Sequence, residues 1–484
     1  VDALPADIAP CAPSAVPDGQ TFPAAYGWQH QPWRVITVAG FEPGRVERQA
    51  LHAIGAQYRT LIQIHADAAP PHSRELLVLQ GMDGHRLNRS GMLEHFWHRP
   101  PYAMPLRLVR YAPNSCEGEV VDGAVIGTRD KRQIFRSRVE RMAARLIGDA
   151  IAGTGRGAFS SSFDLTPHRS RQWPFAGRFD HFLTRWQQRL FTEWWSIGFT
   201  TMPLREIVEG GFLGRVQWLA PSVGTDYLAD PFSWPGTGRL LCEQRTIVEG
   251  NGRIVVLGPG PDGTFHQIST MLAGGGHHSY PGVVQDGETV YFLPEAPQRG
   301  GTVIYQLTED RDPVPVCTVA PGHRLADPTL FAYRDRYWIA YTDIDIGEHN
   351  NLCLLHAPSV EGPWQSHRCM PVKIDVCGAR CAGALFRIGD ALFRLGRDCA
   401  QTYGAGLVIH RVDLLTPDDY RETVVTRLRP DPSGPFPHGL HTLSAGDGRV
   451  WLDGKRHVFS LSGLIGKIRR RAGWDGSAAQ AACK

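Results

Sequence analysis

The chain has 484 residues, of which 53 are Gly, 36 are Pro and 10% are aromatic, a length beyond one ordinary core and a composition that favours turn-rich β structure over helix bundles. A formal net charge of +3 from 51 basic and 48 acidic residues gives no general case for a nucleic-acid partner. No apolar run reaches the roughly 18 residues that a bilayer span needs, and the ten cysteines, with Cys377 and Cys381 the closest pair, fit neither a disulfide scaffold nor a zinc pattern.

Residues 1–30 are rich in Pro and Ala and aperiodic, which predicts a tail or linker. From Trp33 the pattern changes. Arg34 to Val38, Thr60 to Ile64 and Leu76 to Leu79 read as strands, and Val46 to Ala56 has helical spacing. Gln133 to Ala152 reads as a helix with Ile134, Met142, Leu146 and Ile147 on one face and Arg136, Arg138, Arg141 and Arg145 around the rest. Residues 31–152 are therefore expected to form an α/β domain. Gly153 to Gly157 and Ser160 to Ser162 mark a linker over 153–182. Leu183 to Trp195 is aromatic and amphipathic, which predicts a short helix leading into a second domain that ends at residue 459.

The second domain repeats. Leu228-Ala229-Asp230-Pro231-Phe232 returns as Leu325-Ala326-Asp327-Pro328-Thr329-Leu330-Phe331. A Pro after the Asp disfavours helix and predicts an extended Asp at the start of an apolar strand. Comparable starts occur at Tyr280, Arg380 and His441, at intervals of 47 to 61 residues. Each precedes an apolar strand, a turn with Gly or Asp, and a second aromatic strand. About 50 residues and four strands per unit predict a propeller blade, so the chain is read as multidomain, an N-terminal α/β domain followed by an all-β five-bladed β-propeller.

Leu325 to Thr342, LADPTLFAYRDRYWIAYT, resembles the repeat of five-bladed β-propeller carbohydrate enzymes of the glycoside hydrolase family 43 superfamily, and His356 to Trp364 is similar to a strand end of that family. The order ADPF, HxSYP…LPE, ADPT…WxAYTD, ARxAG…RDC…YG over residues 195–457 looks like one branch. It is the propeller found beside the transferase domain of plant glucosamine inositolphosphorylceramide transferases and, in bacterial proteins, fused to a formyltransferase-like N-terminal domain. The N-terminal third carries no Asn-His-Asp formyltransferase triad and is expected to be a degenerate copy.

Converging strand starts would bring Asp230, Glu295, Asp327, Arg380, Arg397, Asp398 and His441 into one pocket. Paired carboxylates there suit glycosyl chemistry, one activating an acceptor or attacking the anomeric carbon and another tuning its pKa. The resemblance implies Asp230 as general base and Asp327 as pKa modulator. It also implies a Glu general acid where Gly378 to Gly383 has Arg380 instead. A sugar alkoxide leaving group needs a proton, whereas a nucleotide diphosphate needs its charge met, so Arg380, Arg397 and His441 are expected to hold a diphosphate. Glu295 or Glu243 remains available as an acid, and His278 and Tyr280 complete the expected substrate-binding set. Tyr280, Trp338 and Tyr403 could stack on sugars. No cofactor and no metal is predicted; a nucleotide sugar is the expected substrate.

The expected function is a glycosyltransferase moving a sugar, a furanose among the candidates, from a nucleotide-activated donor to a carbohydrate acceptor, lipid-linked in one version, in bacterial surface polysaccharide assembly. The alternatives are a furanoside-directed glycoside hydrolase and a non-catalytic glycan-binding propeller. No secretory leader is read, and a cytoplasmic location with free thiols is expected. Residues 460–484 contain a basic amphipathic segment. Leu461, Leu464, Ile465 and Ile468 share a face, with Lys467, Arg469, Arg470, Arg471 and Trp474 alongside, which would give peripheral contact with the inner membrane through residues 460–474.

Overall fold

A computed structural model describes residues 34–39, 49, 51, 53–54, 60–65, 75–80, 102–112, 118–129, 132–153, 156, 190–219, 226–246, 251–296, 301–309 and 311–459. The expected tail, most of the helix read over 46–56, nearly all of the linker and the basic segment 460–474 lie outside the described residues.

Arg34–Ala39, Thr60–His65 and Glu75–Gln80 are strands where the pattern places them. With Ala103–Tyr111 and Gly118–Gly127 they form one five-stranded sheet. Arg34–Ala39 is flanked by two parallel neighbours, and the last two pairings are antiparallel. The helix Arg132–Ala152 turns Phe135, Val139, Met142, Ala143, Leu146, Ile147, Ala150 and Ile151 inward, the three- and four-residue spacing of a buried stripe. Ile134, expected on that face, is 45% exposed, because the stripe runs through Phe135 instead.

Five antiparallel sheets follow. Their first strands are Asp226–Trp234, Ser279–Asp286, Leu325–Tyr333, Phe386–Ile388 and Leu443–Gly446. Asp230, Tyr280 and Asp327 lie within the first three, while Arg380 and His441 lie just ahead of the last two. The fifth sheet joins the two ends of this region. Phe191–Thr200 pairs with Arg449–Phe459, from Thr200 against Val450 to Phe191 against Phe459. Residues 191–195 are therefore strand and not the helix their amphipathicity suggested. Their alternating aromatics, Phe191, Trp194 and Trp195, fit a pleated surface equally well, and ladder pairing decides the outcome.

The three X-Pro starts share one backbone device. Register slips between Ala229 and Phe232, between Ser279 and Gly282, and between Ala326 and Thr329. Each slip is a β-bulge holding Asp230-Pro231, Tyr280-Pro281 or Asp327-Pro328. The residue before Pro has φ of 51° at Asp230, 46° at Tyr280 and 48° at Asp327. The Asp residues are thus left-handed and not extended, a conformation costing about 1–3 kcal/mol at a non-Gly residue. A bulge turns a side chain out of the strand's alternation, and at Asp230 and Asp327 it delivers a carboxylate to the space where the first strands meet.

The N-terminal sheet and its helix meet this region at residues 370–376, with Ala400 packed alongside. Val376 donates its N–H to the carbonyl of Val125 at 3.1 Å, and Arg145 donates to the carbonyl of Met370 at 2.9 Å. The chain then runs directly into Arg380.

Candidate functional site

Residues of the first strands of three sheets, with Phe191–Thr200 and neighbouring strands and loops, line a cavity of about 300 Å³, large enough for a small ligand. Asp230, Glu243, Glu295, Asp327, Arg380 and His441 line it, as the sequence suggested, and so does Tyr403. Glu193, Trp195, Tyr227, Arg245 and His277 also line it and were not foreseen.

Each bulge N–H is tied to a carboxylate. Asp230 donates its N–H to Oδ2 of Asp453 at 3.0 Å, Tyr280 to Oδ2 of Asp230 at 3.2 Å, and Asp327 to Oε2 of Glu295 at 2.8 Å. Asp230 Oδ1 also accepts the Thr442 hydroxyl at 2.5 Å and faces Nε2 of His441 at 3.6 Å. Nδ1 of His441 lies 2.5 Å from Asp453 Oδ2, close enough for a charge contact but not aligned as a hydrogen bond. The His441 ring stacks on Trp195 with centroids 3.8 Å apart, which fixes its plane between the two carboxylates.

Asp327 is held differently. Arg380 Nε contacts its Oδ2, and Nη1 of Arg397 lies 3.1 Å from the same oxygen. Burial pushes the Asp327 carboxyl up, but Arg380 and Arg397 outweigh it and leave the pKa below the ordinary value. At Asp230 burial prevails over His441 and Arg397, and the pKa is raised. Burial, with Asp327 adding repulsion, pushes Glu295 up to about 8. Burial and the neighbouring Asp230 push Glu243 well above its usual range. One cavity therefore holds a carboxylate held below its ordinary pKa, Asp327, beside a carboxyl, Glu295, that keeps its proton at neutral pH, the separation of acid and base roles that glycosyl chemistry uses.

Several expectations are corrected. Arg397 is fully buried and does not line the cavity; its guanidinium serves Asp327, the Tyr403 hydroxyl and the His441 carbonyl. Arg380 lines the cavity but spends its nitrogens on Asp327, the Glu348 carbonyl at 2.7 Å and His349 at 3.0 Å, so the pair is not arranged to grip a diphosphate. Asp398 follows Arg397 on a strand, where successive side chains point to opposite faces, and it pairs with Arg429 at 3.0 Å outside the cavity lining. His278, just ahead of the strand Ser279–Asp286, is also turned away: its Nε2 meets the Gly274 carbonyl at 2.8 Å while His277 lines the cavity.

Tyr280 is corrected as well. Its ring is fully buried edge-on to Phe232, and its hydroxyl accepts the Gly383 N–H at 2.6 Å and pairs with Thr329 at 2.9 Å. It is a tie between sheets and not a sugar platform. Trp338, likewise, is buried in the core with Phe331 and Leu354. Asp230, His441 and Asp453 bring three ligand atoms within 4.8 Å of one another. Asp453, however, already accepts the backbone N–H groups of Asp230, His441 and Thr442.

Residues 217–432 match the family model described as glucosamine inositolphosphorylceramide transferase 1, N-terminal. Glucosamine inositolphosphorylceramide transferase 1 of Oryza sativa subsp. indica is 27% identical over 239 residues, covering 48% of this chain and 31% of that protein. The Arabidopsis thaliana protein of the same name is 25% identical over 210 residues, covering 42% of this chain and 27% of its own length. The chain spans about a third of the curated relatives it matches. Among solved structures, an exo-β-1,3-galactanase from Clostridium thermocellum aligns at 14% identity with a TM-score of 0.35, covering 43% of this chain and 53% of that one. A family 117 glycoside hydrolase from Zobellia galactanivorans aligns at 11% identity with a TM-score of 0.34, covering 55% and 92%.

Glu193, Trp195 and His277 escaped the sequence reading because they belong to no repeated motif. Trp195 and Glu193 come from the strand that closes the fifth sheet, and His277 from the Gly-rich loop Gly274–Gly276. The remaining signal for Arg245 was its place two residues after Glu243, on the same strand face.

Proposed function

We propose that this chain is a glycosyltransferase whose five sheets are the blades of one propeller, with the sugar site in its central cavity. The observation that carries the reading is the grouping of Asp230, Asp327, Glu295 and Glu243 in one buried cavity with opposed acidities. The match of residues 217–432 to a transferase family supports transfer over other carbohydrate chemistry.

In this reading Asp230 accepts the proton of an acceptor hydroxyl as that oxygen bonds to the anomeric carbon. The bond to the leaving group breaks, and its electron pair departs with that group. Asp327, fixed by two arginines, keeps a negative charge near the developing oxocarbenium ion, and His441 holds Asp230 in place. The donor is read as a nucleotide-activated sugar and the acceptor as a glycan or lipid-linked glycan of surface polysaccharide assembly. Purified protein incubated with a panel of nucleotide sugars and candidate acceptors should release nucleotide in step with product.

A second reading, glycoside hydrolysis, is favoured by one observation. Glu295, with its pKa near 8, is protonated at neutral pH and can supply the proton that an alkoxide leaving group needs. Aryl glycoside cleavage without nucleotide release would select it.

A further inference from the structure

Arg380 and Arg397 are spent on Asp327, which leaves one cation on the cavity wall differently placed. Arg245 lines the cavity, half-buried, and among the described residues its guanidinium makes one hydrogen bond, to the Tyr227 hydroxyl at 3.4 Å. Among the described residues no carboxylate lies within 4.0 Å of it.

Its neighbours are donors too. His277 Nδ1 accepts the Gly252 N–H at 2.8 Å, which places the ring proton of the neutral imidazole on Nε2, on the side of Glu243 Oε1 at 3.8 Å. Burial, with Arg245 nearby, holds the His277 pKa down to about 4, so the ring is neutral. Glu243 is only 6% exposed, lines the cavity, and its Oε1 has no hydrogen-bond partner among the described residues. A guanidinium, an imidazole N–H and a phenol thus converge on one stretch of wall beside the Glu243 carboxyl. A neutral sugar would give the Arg245 guanidinium no anion at contact distance in a partly desolvated wall, which is costly. A phosphoryl group brings both the charge and several acceptor oxygens.

We propose that Arg245, with Tyr227, His277 and Glu243, forms a phosphoryl-binding subsite on one wall of this cavity. The inference rests on the cavity being the sugar site, and it replaces Arg380 and Arg397 as the anchor of a charged substrate group. The phosphoryl group belongs to the leaving group of an activated donor or to the headgroup of a phosphorylated acceptor.

Titration calorimetry on the full chain tests this with pyrophosphate and uridine diphosphate for the first source and inositol 1-phosphate for the second. Arg245→Gln should weaken the tightest of these by about tenfold or more, Arg245→Lys by less, and Arg239→Gln, which loses the same charge from the Glu309 pair on the same strand, not at all. Whichever probe binds tighter identifies the source. Equal binding by Arg245→Gln and wild type overturns the subsite, as does absence of binding for all three probes. Tighter Arg245-dependent binding of glucuronate than of any phosphate overturns the phosphoryl assignment. Phosphate binding through Arg245 in a protein that transfers no sugar would sink the transferase reading and keep the subsite. Sugar transfer unaltered in Arg245→Gln would do the reverse.

Discussion

Nη1 of Arg397 lies 3.1 Å from Oδ2 of Asp327, and Arg380 contacts that same oxygen from its own side. Two guanidinium groups on one carboxylate account for the Arg at position 380, where the sequence resemblance led us to look for a carboxylic acid. The carboxyls with raised pKa lie elsewhere, at Glu295 and Glu243, and the arginines hold Asp327 below its ordinary value.

Removing Arg397 should therefore destabilise the fold. Arg397→Ala leaves Asp327 buried with half its compensation, and loss of one partner from a buried ion pair costs about 3–5 kcal/mol. Chemical denaturation should show a loss of that order, partly recovered by combining Arg397→Met with Asp327→Asn. A single variant as stable as wild type would mean that Asp327 bears no buried charge.

Glu295 predicts a pH dependence. Its folded pKa, about 8, lies above its ordinary value of 4.5, so between those values the unfolded chain releases a proton that the folded chain keeps. Its contribution to stability is greatest below about pH 4.5 and falls as pH rises towards 8. Glu295→Gln should flatten that part of the stability profile in thermal melts from pH 5 to 8. If Glu295 also donates a proton in the reaction, kcat/KM should fall above about pH 8 in wild type, and the limb should be missing in the variant's residual activity.

Tyr280 should behave as a structural tie. Tyr280→Phe removes the acceptor of the Gly383 N–H and the partner of Thr329, which should cost about 1–3 kcal/mol of stability. Substrate KM should stay within about threefold of wild type, under 1 kcal/mol by the same conversion. A large rise in KM with unchanged stability would restore Tyr280 as a sugar contact.

The repeated Asp-Pro motif made the site's centre legible, since Asp230 and Asp327 are the two bulge residues whose carboxylates reach the cavity. What it could not reveal was the left-handed backbone, because a Pro at the next position argues for an extended residue unless a bulge over-rules it. Nor could it tell Arg397 from Asp398, or His277 from His278. Arg397 and Asp398 are adjacent residues whose roles are exchanged by strand alternation, and their register is settled by pairing with Leu407 and Gly406, whereas His277 and His278 precede the strand that starts at Ser279. Trp195 was legible as an aromatic but not as a stacking partner of His441, a contact made across 246 positions of chain. The helix Arg132–Ala152 was readable because its signal is local, though Ile134 shows that the pattern alone misplaces a face's edge.

Turnover of Asp230→Asn tests the central claim most directly. With a nucleotide sugar and acceptor that wild type uses, the account predicts a loss of about 10²–10⁴-fold in kcat, the range for removal of a positioned general base, in a variant whose thermal unfolding shows it folded. A folded Asp230→Asn protein that transfers sugar at close to the wild-type rate would contradict it.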